Sequence, residues 1–344
     1  MSSTKIADMK NIFIWIIILL AVTVSSNIRG QEKVEQAEIS SQYSTVPVVA
    51  WFSKHDTVYY WVNESSWRIN GADTVRTSSQ SMRVRINVVD SAATGYKLEY
   101  TFLEFPTENL PETAPFSEIF QNQIVARLAK KIEGTTVSFE TDDCGRITGI
   151  NNLGRIKKQA KSLLNEAIKE FSVLPEMQEA KELGFDIRDY AKKIDMNQLV
   201  DGYLEELNLL FLNHGNEYTA GEFKEHEDAT DSTFESTTVI SASVDSDGCY
   251  SVMADITNIL TRKYIKELVG NVVGLFNNDS INDSFRKNFD SQVKVNGVYE
   301  DYLKTDYLPN GWPFYLVKQQ STKIGQLEKV KQKVISLDSY YFAP

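Results

Sequence analysis

Residues 81–102 constrain the fold more than any other stretch of this chain. Met82, Val84, Ile86 and Val88 alternate with Ser81, Arg83, Arg85 and Asn87. A side-chain period of two puts the first set on one face and the second on the other, the pattern of a strand with one face on a core. Asp90 to Gly95 supplies a turn, after which Tyr96, Leu98, Tyr100 and Phe102 resume the alternation. Two such runs about a Gly-ended loop predict an antiparallel hairpin.

The same reading extends along the chain. Val48–Phe52 and Thr57–Val62 are rich in aromatic and β-branched residues and read as strands. A helix is expected after Pro115, using Phe116, Ile119, Phe120, Ile124 and Leu128 and ending at Gly134. Thr135–Thr141 and Arg146–Ile150 flank the turn Asp142–Gly145 as a second hairpin. The middle then changes period: Ile156, Ala160, Leu163, Leu164, Ala167, Ile168 and Phe171 recur every three or four residues, one face of a helix. Pro175 interrupts, a weaker helical stretch follows, and Leu199, Val200, Tyr203, Leu204, Leu207, Leu210 and Phe211 make another apolar stripe. Beyond His214-Gly215 strands return at 234–244, 250–256, 291–295, 298–303, 313–319 and 329–337, with a helix over 264–276. Val89-Asp90-Ser91 with Tyr96 echoes Val244-Asp245-Ser246 with Tyr250, either as a duplication or as the ordinary likeness of hairpins. The expected class is α+β: a curved antiparallel sheet, in one version from two related halves, with amphipathic helices on one face.

The start of the chain has its own logic. Lys5 and Lys10 precede an apolar run from Ile12 to Val24, and small and polar residues follow. That order is a secretory signal, and the run is shorter than the ~20 residues a membrane-spanning helix needs. Cleavage fits after Ser26 or Gly30, Met9 is a second candidate initiator, and the competing reading is an uncleaved anchor. No cysteine follows the run, so the expected product is not a lipoprotein and carries no integral span. The division read from the sequence is a signal peptide over 1–30, a polar tether over 31–47, a first β-rich half over 48–152, a helical section over 153–214 and a second β-rich half over 215–344. Residues 48–344 are expected to form one compact unit.

Losing residues 1–30 removes Lys5, Lys10, Arg29 and Asp8, which deepens the formal net charge of −11 by two. Such a chain repels phosphate backbones, and the one basic cluster, Arg155, Lys157, Lys158 and Lys161, reads as the outer side of a helix. Nucleic acid is therefore not an expected partner.

Chemistry-bearing patterns are sparse. His55, His214 and His226 show no metalloprotease spacing. Glu225-His226-Glu227-Asp228 gathers ligand-type residues in what reads as a polar loop, and Asp245-Ser246-Asp247-Gly248 lacks the remaining ligands of a calcium loop. No phosphate loop or nucleophile elbow is present. No catalytic residue, metal ligand or cofactor is assigned. The aromatic residues Trp51, Tyr60, Trp61, Trp67 and Trp312, with Phe52 and Tyr59, are the candidates for ligand binding. Exposed, such rings would stack on sugars or line an apolar pocket; buried, they are β-core. Cys144 and Cys249 each sit beside a turn and either pair or remain two thiols.

The hairpin around Val88–Phe102, Val137-Ser138-Phe139 followed by Cys144-Gly145-Arg146-Ile147 and Asn151-Asn152-Leu153, and Trp312-Pro313 before a strand carry a resemblance of pattern. Over most of 48–337 the chain resembles a family of uncharacterised exported proteins of Gram-negative bacteria, a domain of unknown function; its lengthened helical middle departs from that pattern. The resemblance implies the periplasm or outer envelope and transfers no catalytic residue. Three functions follow as expectations. The leading one is a non-catalytic envelope protein binding a ligand, in one form an apolar small molecule, or an envelope protein partner. The others are a hydrolase acting on envelope polymers or sugars through acidic residues, and an assembly protein recruiting chains at its sheet edges.

Overall fold

The computed structural model describes residues 44–106, 127–192, 195–230, 234–274 and 278–343. The expected signal segment and the helix core after Pro115 (Phe116, Ile119, Phe120 and Ile124) lie outside the described residues. The strands are β1 (Thr45–Pro47), β2 (Thr57–Asn70), β3 (Asp73–Ala92), β4 (Gly95–Glu104), β5 (Thr136–Thr141) and β6 (Ile147–Ile150). After the helical section come β7 (Glu217–Thr219), β8 (Gly221–Glu227), β9 (Glu235–Val244), β10 (Tyr250–Leu260), β11 (Gly297–Tyr307), β12 (Pro313–Ile324) and β13 (Leu327–Tyr341). The helices are α1 (Leu153–Phe171), α2 (Pro175–Glu182), α3 (Ile187–Ala191), α4 (Met196–Tyr203) and α5 (Glu205–Phe211), then α6 (Arg262–Val273) and α7 (Asp279–Gln292) between β10 and β11.

Eleven strands form one antiparallel sheet in the order β6-β5-β4-β3-β2-β13-β12-β11-β10-β9-β8, and β1 pairs with β7 in a separate ribbon. The chain meanders from β2 out to the edge at β6, crosses back through α1–α5, and meanders inward from β8 to β13. Strand β13 closes on β2 in the middle of the sheet, with Lys333 opposite Glu64 and Ile335 opposite Val62. Residues about 270 positions apart thus become neighbours.

The α+β expectation is overturned. Over the described residues the chain is mainly β, 48% strand against 27% helix, because the strands run well past their apolar alternation. β2 extends fourteen residues and β3 twenty, through polar stretches such as Asn63–Ser66 and Thr77–Ser81. Other differences are local. Residues 291–292 end α7 instead of starting a strand. Glu225–Glu227 belong to edge strand β8, not to a loop. Thr45–Pro47, the end of the expected tether, are strand β1. Val48–Phe52 pairs with no strand; it is an extended bolt with Val48, Ala50 and Phe52 buried. Its backbone binds three separate turns: Val48 N to Asn216 O, Ala50 N to Cys144 O and Trp51 N to Asn310 O.

The helices form where the sequence allows them. Pro175 stops α1 and occupies the first turn of α2, where its missing N–H costs nothing. The Asp195 carboxylate caps α4 by accepting from Asn197 N at 2.6 Å. Ile156 and Ala160 of α1, Val200 of α4, and Leu207, Leu210 and Phe211 of α5 are buried against Tyr60, Ile86, Tyr100, Phe139 and Ile335 of the sheet. The β1–β7 ribbon covers Ala242, Tyr250, Val252 and Tyr307. Ile265 of α6 and Phe289 of α7 cover Leu260. Directly paired residues share a face, so the strand registers put all this apolar burial on one side of the sheet, the inner face. On the outer face the buried strand residues are Ser79, Ser81, Thr101 and Ser321, all hydroxyls.

Gly311 shows how tight the bolt is. Its φ is +86°, and a Cβ there would lie 2.3 Å from the Val49 carbonyl oxygen. Gly134 has φ +76° with nothing within 4 Å of the same position. Gly311→Ala is therefore expected to lower the unfolding free energy by at least ~2 kcal/mol, against about 1 kcal/mol for Gly134→Ala. Urea denaturation of the two variants side by side checks this, and equal midpoints would contradict it.

Candidate functional site

Crossing the inner face from β8 to β2, successive rows of paired residues change chemistry. The row beside the core runs Phe223, Ile240, Ala254, Leu303, Lys318, Lys333 and Glu64. The next runs Glu225, Thr238, Ile256, Asp301, Gln320, Lys331 and Ser66, and the third ends in Tyr299, Thr322, Lys329 and Arg68. Phe223, Ile240, Ala254, Ile256 and Leu303 are only partly buried. They lie between the β1–β7 ribbon over Val252 and the α6–α7 pair over Leu260. Those two covered residues are separated along β10 by roughly 26 Å at ~3.3 Å per residue. The result is a trough, apolar on β8–β11 and ionic on β11–β13 and β2.

Lys333 anchors the ionic end. Its side chain is 4% exposed and its ammonium meets three carboxylates: Glu206, Glu205 at 2.7 Å and Glu64 at 3.2 Å. Lys331 also reaches Glu64 at 3.2 Å, and Lys318 reaches Glu205 at 3.4 Å. Burial would lower the Lys333 pKa, but the Glu206, Glu64 and Glu205 charges outweigh it and raise it. Burial would likewise raise Glu205, yet the ammoniums of Lys333 and Lys331 hold it down to about 2. Both glutamates sit in the first turn of α5, where negative charge is favoured by the helix N-terminus. The network thus pins α5 to the sheet centre. Beside it, Gln320 Nε2 donates to Asp301 Oδ2 and the Tyr299 hydroxyl, each at 2.9 Å, and that hydroxyl lies 3.2 Å from Asp301.

Lys329 differs from its neighbours. It is half-buried on the same face, paired across the strands with Arg68 and Thr322 and two residues from Lys331. No carboxylate among the described residues forms an ion pair with it. Burial first, and then repulsion from Lys331, lowers its pKa to about 8.

The aromatic candidates do not converge. Tyr60 is buried in the core, and Trp312 is fully buried with its ring stacked 3.8 Å from Phe52. Trp61 and Trp67 lie half-buried on the outer face at different heights of β2, and the Arg83 guanidinium lies 5.9 Å from the Trp61 ring. Trp51 is 69% exposed on the bolt. Cys144 and Cys249 are free thiols, each beside its turn. His214 is buried, with Nε2 3.0 Å from the Gly311 carbonyl oxygen. His226 lies 3.0 Å from the Thr237 hydroxyl on the edge strand. Asp142, Asp143 and Cys144 cluster at a hairpin turn, but the Asp142 carboxylate already accepts the N–H groups of Cys144 and Arg146. Burial, then Glu300, raises Asp255, but these two acids occupy the outer face, away from the trough. Lys329, Lys331 and Lys333 alternate with Val330 and Val334, and the fold turns the lysines inward and the valines outward, a choice the alternation alone does not make.

Two clefts elsewhere are shallow and polar. The larger, about 350 Å³, is lined by Glu133, Gly134, Thr135, Thr136, Arg155 and Gln159.

Fold and site together define a mainly β protein in which one large antiparallel sheet carries an amphipathic trough on its covered face. No family model matches the chain, and no curated protein matches it. Among solved structures it is similar to one described as lipid–protein interactions in lipovitellin, at 11% identity and TM-score 0.35. The match covers 85% of this chain and 26% of that one. A likeness at that level defines neither fold nor ligand. Among the described residues no helix is long and apolar enough to cross a membrane.

Proposed function

We propose that this chain is an exported, non-catalytic binding protein that takes an amphipathic ligand along the inner trough. The observation that carries the reading is the partly open run of Ile240, Ala254, Ile256 and Leu303 continuing into the ionic residues of β11–β13. A contiguous apolar run left partly open beside a core is the kind of surface that takes a ligand or partner. Export is supported by the basic start, the short apolar run and the small residues after it; the resemblance to exported envelope proteins points to the same address. Recruitment of chains at the sheet edges is less favoured. Edge strand β6 has four residues and a register break beside it, and edge strand β8 carries Glu222, Lys224, Glu225 and Glu227. Short or charged edges resist strand addition.

Native mass spectrometry of processed protein, before and after solvent extraction, tests the reading. Extra mass lost on extraction, with an amphipathic molecule recovered, supports it. Ile256→Glu places a charge opposite Asp301 on the trough floor and is expected to weaken that ligand about tenfold or more. A bare chain that also fails to take up long-chain amphiphiles would overturn the reading.

A further inference from the structure

Among the described residues Lys329 is a cation held half-buried without an ion-pair partner, in a fold that gives each of its three neighbouring lysines at least one carboxylate. Leaving a charge partly desolvated and unpaired is costly, and proteins retain such groups chiefly where another molecule completes them. The surroundings specify what would complete it. Arg68 faces it from β2, Lys331 lies two residues along the strand, and the Thr322 hydroxyl faces it from β12. The nearest acids of the trough are engaged: Glu64 with Lys331 and Lys333, and Asp301 with Gln320 and Tyr299. The chain as a whole is acidic, so a local cation is needed to hold an anion anywhere on it.

We infer that Lys329, with Lys331 and Thr322, is the subsite for the anionic headgroup, a carboxylate or a phosphate monoester, of the amphipathic ligand. The inference rests on the trough reading above. An apolar chain lying across β12 and β11 from this corner reaches Leu303 and Ile256, two or three strands away, or about 10–14 Å at the ~4.8 Å spacing of strands. A lowered lysine pKa fits a site that is desolvated before its anion arrives.

The test compares binding of oleate, 1-oleoyl lysophosphatidate and uncharged monoolein to the processed protein and to Lys329→Gln and Lys329→Arg. The unmodified protein is expected to bind an anionic probe at least tenfold more tightly than monoolein. Lys329→Gln should erase that preference, and Lys329→Arg should keep it within about threefold. Preference for lysophosphatidate over oleate assigns a phosphate, and the reverse a carboxylate. Equal affinity for monoolein and both anions, or an anion preference that survives Lys329→Gln, overturns the subsite and leaves the trough reading standing. Binding of none of the three overturns both. A ligand-independent readout accompanies these: Lys329→Gln should melt a few degrees higher when empty, since it removes an unpaired, half-buried charge. An unchanged or lower melting temperature counts against the premise.

Discussion

Lys333→Met is expected to lower the unfolding free energy by about 3–5 kcal/mol, the largest loss foreseen for a single side chain here. The lysine is nearly sealed from solvent and holds Glu206, Glu205 and Glu64 around one ammonium. Without it three carboxylates crowd a poorly hydrated site, and two of them belong to the turn that seats α5 on the sheet. The penalty comes from the charges left behind more than from the worth of the bridges. It follows that Lys333→Met combined with Glu206→Met should recover part of the loss, because one stranded charge goes with its partner. Urea denaturation followed by circular dichroism measures both. A loss below about 1 kcal/mol for the single variant would mean that water reaches the network freely and that it does not hold α5 in place.

Acidification between pH 6.5 and about 4 is expected to cost about 3 kcal/mol through His214 alone, at ~1.4 kcal/mol per unit of pKa difference. The ring packs against Phe52, Phe211 and Tyr307. Nε2–H donates to the Gly311 carbonyl, while Nδ1 has no hydrogen-bond partner among the described residues. Burial therefore disfavours the imidazolium and lowers the pKa from 6.5 to about 4, against a smaller opposing effect of the backbone bonds. The unfolded chain binds this proton below pH 6.5 and the folded chain does not. Stability is thus fully present above pH 6.5 and drains as pH falls toward 4. Glu205 acts in a separate, lower window: its contribution is present above its ordinary value of 4.5 and is lost as pH falls toward about 2. The other histidines, His55 and His226, are exposed. Stability measured at pH 7 and pH 4.5 should therefore differ by much less in His214→Gln. An equal acid loss in both proteins would assign the effect elsewhere.

Local rules carried a good part of the fold. The alternation through Met82–Phe102 located β3 and β4, the three-and-four spacing from Ile156 to Phe171 located α1, and the turn at Asp142–Gly145 is where its glycine predicts it. These signals survive because each depends on residues a few positions apart. Strand length was not legible in the same way. The lower halves of β2, β3 and β13 lack apolar alternation, since the outer face there buries small hydroxyls such as Ser79 and Ser81 and the inner face carries ions in place of a core. Helix α7, Asp279–Gln292, was hidden for a similar reason: Phe285 and Phe289 are most of its apolar face.

What the sequence alone determined is local: which residues alternate, which recur at helical spacing, and where the chain must turn. Only the tertiary structure decided which face of each strand is the inside. In β13 the choice between Val330 and Val334 or Lys329, Lys331 and Lys333 is made by Ile335, which pairs with Val62 and Leu316 in the core. A side-chain period of two then forces every lysine of that strand onto the same face as Ile335. The carboxylates that make this tolerable come from Glu64, on a strand near the start of the folded chain, and from Glu205 and Glu206, more than a hundred residues before β13. No pattern confined to one segment can record such a meeting, because the energy that settles it arises only when the distant segments are packed together.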